Sequence, residues 1–274
     1  MDAARSKNED LVHNLRELHS LLVAFSGGVD SAFLLAVAHQ ILGERVVAAT
    51  ASSAAYPSRE QEDAVEFARQ KGIHHIIFES DETSIPEFLS NPHDRCYHCK
   101  KSLCQSLIKI AKEQDIRYIA HAANLDDLSD YRPGIKAAKE MGIISPLVDV
   151  RLNKEEIRFL SKEMGLPTWD KPAMACLASR IPYGSPITRK KLKMVEEAEG
   201  FLAKNGFKQF RVRHHGPVAR IEVEETEIGR IIEEGLRKNL TERFREIGFT
   251  HISVDLEGYV SGSMNRDLED KGLL

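Results

Sequence analysis

The stretch Leu22-Val23-Ala24-Phe25-Ser26-Gly27-Gly28-Val29-Asp30-Ser31 constrains the fold more than any other part of the chain. A short apolar run enters a polar, glycine-containing corner. An apolar-periodic segment follows, with Phe33, Leu34, Val37, Ala38, Ile41 and Leu42 on one side. This order predicts a buried strand, a tight loop and a packed helix, the entry to a parallel α/β sheet. Gly27 and Gly28 give the backbone the freedom to converge successive N–H groups on one point. The helix start adds free N–H groups and a positive dipole end. A multiply charged anion fits such a corner.

What the loop lacks narrows the anion. A Walker-type loop carries Lys followed by Ser or Thr to hold the outer phosphates. Here there is no Lys, only the hydroxyls of Ser26 and Ser31 and the carboxylate of Asp30. A carboxylate suits an anion site when Mg2+ stands between it and the phosphates. SGGVDS resembles the SGGxDS loop of the PP-loop ATP pyrophosphatases. The resemblance implies that Ser26, Gly27, Gly28, Asp30 and Ser31 hold the pyrophosphate of ATP while a substrate oxygen attacks the α-phosphate. The alternative is a serine-glycine turn before an ordinary helix.

The segments in order are a helix before Ser20, the strand–loop–helix above, a strand over 46–50 and a helix over 59–71 ended by Gly72. A strand over 73–78, an irregular stretch to Asp94, a helix to about Gln114 and a strand over 117–122 come next. Asn153 to Glu156 reads as a capping box opening a helix. Three prolines from Pro172 to Pro186 exclude a continuous helix there. Beyond Thr188 the pattern is helix (189–204), strand (210–214), strand (218–223), long helix (227–247) and strand (250–256). The expected fold is therefore α/β: a doubly wound parallel-sheet domain over 1–184 and a smaller α+β domain over 185–274. Ligands of doubly wound sheets bind at the carboxyl ends of the strands. That rule puts Thr50 near the nucleotide and delivers Asn124, Asp126, Asp127 and the segment Asp130–Gly134 to the same side. Asp127 either binds Mg2+ or holds its loop through hydrogen bonds.

The 274 residues suffice for a sizeable core. The polar N-terminus has no apolar signal region, and the longest apolar run, Ala32 to Ala38, is too short to cross a bilayer. A cytoplasmic protein without a membrane partner is expected. A net charge of −4 argues against broad nucleic-acid binding. In that compartment the four cysteines point to metal binding or catalysis.

Cys96-x-x-Cys99 is compatible with a redox pair, with a zinc site completed by His93 or His98 and Cys176, or with an iron–sulfur cluster held by Cys96, Cys99 and Cys176. Three thiolates on a cubane leave one iron open to an exogenous sulfide. Cys104 falls beside Leu107, Ile108 and Ala111 and reads as core.

SGGVDS, RCYHCKK, NLDDLSDYRPG, ACLASRIPYG and FRVRHHGPVARIE, in that order from about Leu21 to Met264, together resemble the LarE family of sulfur transferases. The resemblance implies adenylation, with ATP and Mg2+, of a carboxylate of pyridinium-3,5-biscarboxylic acid mononucleotide, and replacement of AMP by sulfur. Cys96, Cys99 and Cys176 resemble the branch of the family that carries a 4Fe-4S cluster and draws on a sulfide source. The resemblance further implies catalytic roles for Cys176 and Asp30, and a homo-oligomer; Arg180, on the same loop as Cys176, is expected to serve both catalysis and substrate binding. It assigns Arg211 and Arg213 to the substrate phosphate, and Glu199 and Glu222 to a second metal whose third carboxylate is replaced here by Arg230. Arg211 and Arg213, two apart on one strand face, suit a phosphate through bidentate bonds; a solvated basic strand edge is the alternative. Lys101, beside Lys100, is placed either at the ATP phosphates or on the surface. Arg189, Lys190, Lys191 and Lys193 read as a solvated face, and His214 and His215 as packed or solvent-facing. Three readings of the whole remain: LarE-type sulfur transfer, cluster-dependent tRNA thiolation, and a non-catalytic nucleotide-binding module with a structural metal.

Overall fold

The computed structural model describes residues 1–129, 132–173 and 175–266. Asp130 and Tyr131 of the expected ligand-side segment, and most of the polar tail after Asn265, lie outside the described residues. Contacts divide the chain into one unit of Met1–Glu82 and Asp94–Met174 and another of Thr83–His93 and Ala175–Leu274. The expected junction at 184/185 falls inside the second of these.

In chain order the elements are α1 (Asp2–Arg16), β1 (Leu21–Ala24), α2 (Val29–Leu42), β2 (Val46–Ser52), α3 (Ser58–Lys71), β3 (His74–Glu79) and the short α4 (Pro86–Leu89). Then come α5 (Arg95–Glu113), β4 (Tyr118–Ala120), α6 (Pro133–Glu140), α7 (Pro146–Asp149), α8 (Lys154–Glu163) and α9 (Arg189–Lys204). The chain closes with β5 (Phe210–His215), β6 (Val218–Val223), α10 (Ile228–Ile231), α11 (Glu234–Ile247) and β7 (His251–Val254).

The first unit is built on a sheet of order β3-β2-β1-β4, parallel throughout. Period-two alternation feeds two cores at once. Leu21 and Val23 of β1, with Val46 and Ala48 of β2, pack against α2 and the helices α1 and α8. Leu22, Val47 and Ala49 face the other way, against Leu103, Leu107 and Ile110 of α5. Cys104 belongs to that second core, 1% exposed. Strand order reverses at β1, so the crevice outside the carboxyl ends of β1 and β4 is the topological switch point. An isolated parallel bridge from Ala120 to Ile144 extends the sheet beyond β4.

The second unit is a three-stranded sheet, β5 antiparallel to β6 and β6 parallel to β7. Phe210, Val212, Ala219, Ile221 and Val223 pack on Ala198 and Leu202 of α9 and on Leu240 and Phe244 of α11. Alternation puts Arg211, Arg213, Arg220 and Glu222 on the opposite side of their strands. The single helix expected over 227–247 is instead α10 and α11, separated at Ile232–Glu233. Ile231 and Leu240 lie about two and a half helical turns apart in sequence, so an unbroken helix would turn them to opposite sides. The break lets both enter one core. His214, 5% exposed, packs on Phe249 at 5.5 Å between ring centroids, while His215 is exposed.

Candidate active site

β1 ends against β2 through Phe25 N donating to Ala49 O at 2.8 Å, and the loop Ser26–Gly28 then leads into α2. Gly27 has φ +73°, and a Cβ there would meet Glu60 O at 3.1 Å and Ala64 Cβ at 3.2 Å. Only glycine combines that angle with so close an approach to α3. Gly28 caps α2 with extended backbone. The two loop hydroxyls are tied together: Ser26 Oγ lies 3.1 Å from Ser31 Oγ, which also accepts from Ser26 N and donates to Gly28 O. Thr50 is buried below the loop, donating to Phe25 O at 2.7 Å and paired with His75 Nε2 at 2.7 Å. It therefore braces the loop from the second strand.

The acids at this edge are held by cations, Asp30 by one from far along the chain and Asp127 by one five residues on. Asp30 Oδ2 accepts from Lys154 Nζ at 2.5 Å, whereas Asp30 Oδ1 is buried with no hydrogen-bond partner among the described residues. An orphaned carboxylate oxygen beside this glycine-containing loop is a fitting ligand for a hard divalent cation. Asp127 completes a capping box with Asn124, which bonds Asp126 N and Asp127 N, and Arg132 Nη1 stands 2.8 Å from Asp127 Oδ1. Burial pushes the Asp127 carboxyl up against the opposing pull of Asn124 and Arg132, and the charges of Asp30 and Lys154 both act on it. Lys171 Nζ is spread over Gly27 O (3.2 Å), Asp63 (2.7 Å) and Glu60 (2.9 Å), clamping the loop to α3. Arg132 belongs to the segment expected on the ligand side, whereas local pattern marks neither Lys154 nor Lys171 for this site.

The first turns of α5 carry Cys96, exposed, and Cys99, half-buried, whose Sγ lies 4.0 Å from Tyr56 Oη. Gly134 brings α6 against them: a Cβ would stand 3.3 Å from Cys96 O and 3.4 Å from Lys100 Cβ. Lys101 is exposed, its Nζ 6.0 Å from the Tyr97 ring centroid. Lys100 is the half-buried one, close enough to act electrostatically on His121 at the end of β4.

In the second unit the turn Leu177–Arg180 holds Arg180 fully buried, bonded through Nε and Nη2 to both oxygens of Glu199 at 2.8 and 3.0 Å. Its Nη1 donates to Ala175 O and Cys176 O, fixing the backbone beside the half-buried Cys176. Burial raises the Glu199 carboxyl, but the charge and bonds of Arg180 outweigh it and hold the group below its ordinary value. Arg211 lies under the Tyr259 ring at 4.9 Å and is pushed down to about 10 by burial and by Arg180. Arg213 grips both oxygens of Glu222 at 2.8 and 2.7 Å, and Arg220 adds a bond at 3.1 Å. A cleft of about 180 Å³ opens here, lined by Arg180, Arg213, Arg220 and Arg266 with Glu222, Asp255 and Glu257; Arg211 is not in its wall.

The second metal expected at Glu199 and Glu222 does not fit these residues. All four carboxylate oxygens accept from arginines, and Arg230 instead reaches Asn205 O and Glu227 while covering the Phe207 ring. The basic run in the first turns of α9 is partly engaged rather than wholly solvated, Lys191 Nζ donating to Ser185 Oγ and Pro186 O. The three thiols expected on a cluster divide between the units, Cys96 and Cys99 in the first and Cys176 in the second. Their donor chemistry suits iron, since all are at least partly accessible and none is in a disulfide. Among the described residues no group of three or more His, Cys, Asp or Glu side chains is assembled to hold a metal ion. No described helix is long and apolar enough to cross a membrane.

Loop, sheet order and switch point together define a PP-loop α/β protein. No family model matches the chain. An uncharacterized protein of Synechocystis is 43% identical over 263 residues, 96% of this chain and 98% of its own. The pyridinium-3,5-bisthiocarboxylic acid mononucleotide synthase of Lactiplantibacillus plantarum is 34% identical over 269 residues, 98% of this chain and 97% of its own. A glutamine-hydrolyzing GMP synthase polypeptide of Pyrococcus furiosus is 23% identical over 218 residues, 71% of this chain and 67% of its own. The chain belongs to the LarE family of enzymes, within the PP-loop superfamily.

Proposed function

We propose that this enzyme uses ATP and Mg2+ to adenylate a carboxylate of pyridinium-3,5-biscarboxylic acid mononucleotide and then converts it to a thiocarboxylate. The observation that carries this reading is the full-length relation to a synthase of the bisthiocarboxylic product. The site supplies matching chemistry. A carboxylate is a poor acyl donor until joined to a leaving group, and AMP is one. Ser26, Gly27, Gly28 and Ser31 would cradle the departing pyrophosphate, and Asp30 Oδ1 would ligate Mg2+. Asp127 and Lys101 would stand at the same nucleotide, with Thr50 bracing the loop.

Cys96, Cys99 and Cys176 would hold the 4Fe-4S cluster, which supplies sulfide when bound. Arg180 would position the Cys176 backbone through its bond to the carbonyl, at 3.0 Å. The arginine-lined cleft of the second unit would take the phosphate of the mononucleotide, with Arg213 in its wall and Arg211 behind it.

The test is anaerobic protein, reconstituted with iron and sulfide, mixed with ATP, Mg2+ and the mononucleotide. Pyrophosphate release that needs the mononucleotide, and a product in which sulfur replaces a carboxylate oxygen, are expected. Pyrophosphate release stimulated by tRNA and indifferent to the mononucleotide overturns the reading, as does a colourless protein carrying stoichiometric zinc.

A further inference from the structure

The loop that cradles the anion has no lysine of its own, yet the structure brings two lysines to it, and they differ in one respect. Lys171 Nζ donates to Gly27 O and Asp63 and is ion-paired with Glu60 at 2.9 Å, so three oxygens surround it. Lys154 Nζ has one, Asp30 Oδ2, and among the described residues no second acceptor; its side chain is 33% exposed. Two ammonium N–H groups at this edge therefore remain to be given.

The root of Lys154 is fixed. It is the first residue of α8, behind a capping box in which Asn153 bonds Glu156 N, and its own backbone N donates to Asp126 Oδ2 at 2.8 Å. Asp126 and Asp127 form the loop after β4, so the stem of Lys154 starts on the far wall of the crevice and its tip lies on the near one. Only the flexible four-carbon stem has to move for the tip to choose another anion.

Asp30 gives the reason to move. One of its oxygens is occupied by Lys154 and the other is buried and, among the described residues, unpartnered. A divalent cation drawn to that carboxylate would repel the ammonium next to it, and a polyphosphate arriving with the cation would offer that ammonium a stronger negative partner than the neighbouring Asp126 and Asp127, which are already engaged in their loop.

Resting on the proposed binding of Mg·ATP at this loop, we propose that Lys154 is the phosphate-binding lysine the loop lacks, held on Asp30 in the nucleotide-free enzyme and handed to the phosphates when the metal arrives. Lys154 acts as a counter-ion that protects Asp30 from premature metal binding and then becomes part of the nucleotide site.

The experiment uses the full chain without acceptor substrate, so no turnover enters. Mn2+ binding in the absence of nucleotide is followed by electron paramagnetic resonance, and Mg·ATP binding by calorimetry, in the parent and in Lys154→Met. Removing the ammonium is expected to tighten nucleotide-free Mn2+ binding several-fold and to weaken Mg·ATP by about tenfold or more, the worth of one charge-assisted bond. Lys154→Gln, which keeps a polar tip, carries the same expectations should the Met variant not fold. Mg·ATP affinity within about twofold of the parent overturns the handover. Unchanged Mn2+ affinity overturns it too, because Asp30 would then never have been guarded. A parent protein that binds no Mg·ATP overturns the nucleotide reading beneath it, a different result from a parent that binds and a variant that binds equally well.

Discussion

His121 offers a prediction whose size follows from its surroundings. It ends β4 at the switch point, 8% exposed, with Nε2 2.6 Å from Ser145 Oγ. Burial, and then the charge of Lys100, push its pKa from the ordinary 6.5 down to about 4. The folded state thus keeps the imidazole neutral where the unfolded chain takes up a proton. Stability from this group is complete above pH 6.5, declines as the pH falls below it, and is fully lost near pH 4. The full shift corresponds to about 3 kcal/mol, of which about 2 kcal/mol is gone by pH 5. His121→Gln, which keeps a hydrogen bond to Ser145 within reach and cannot titrate, should lose less stability than the parent between pH 7 and 5, by that same 2 kcal/mol or so. Urea unfolding followed by circular dichroism at a series of pH values measures the difference. His75 and His214, also shifted down by burial, contribute equally to both proteins and cancel. Parallel pH profiles for parent and variant refute the buried, neutral His121.

Glu199→Gln should destabilise the second unit by about 3–5 kcal/mol, since it leaves Arg180 buried without its counter-charge and turns a donor toward a donor; urea unfolding reads it, and a loss under about 1 kcal/mol contradicts the pairing. Gly27→Ala should cost about 1–2 kcal/mol from the left-handed angle alone and shift the loop off Glu60 O; unchanged stability together with unchanged ATP affinity would contradict the close approach to α3. Cys176→Ala should keep pyrophosphate release within about twofold while product falls by about a hundredfold or more. Loss of both steps would break the division between the nucleotide loop and the sulfur-bearing cysteine.

The parts of the fold that local pattern encodes were legible in the sequence. Leu21 to Ala24 followed by Gly27 and Gly28 predicts strand and loop, Asn153 and Glu156 predict their capping box, and Cys104 sits where its apolar neighbours on α5 put it. Side-chain pairing across the chain was not legible, because nothing in periodicity records it. Lys154 meets Asp30 across 124 residues and Lys171 meets Gly27 across 144. The run over 227–247 misled for a related reason: its helical composition is continuous, but the phase of its apolar residues shifts between Ile231 and Leu240. Only the demands of the shared core break the helix there.

The two units treat their carboxylates in opposite ways, and that contrast sorts their ligands. In the second, Glu199 and Glu222 give every oxygen to an arginine, so a cation would have to compete with a buried ion pair at each of them. What remains in its cleft is donor capacity: Arg220 is 38% exposed and its Nη1 makes no hydrogen bond among the described residues. A phosphate monoester suits that surplus better than a metal does. In the first unit the surplus is reversed, with one oxygen of Asp30 unpartnered among the described residues and its other held by the ammonium of Lys154. A metal-bridged polyphosphate satisfies both at once, giving the carboxylate a cation and the ammonium an anion. A free divalent ion or a free phosphate would satisfy one and strand the other, which favours the metal–nucleotide complex over either component alone.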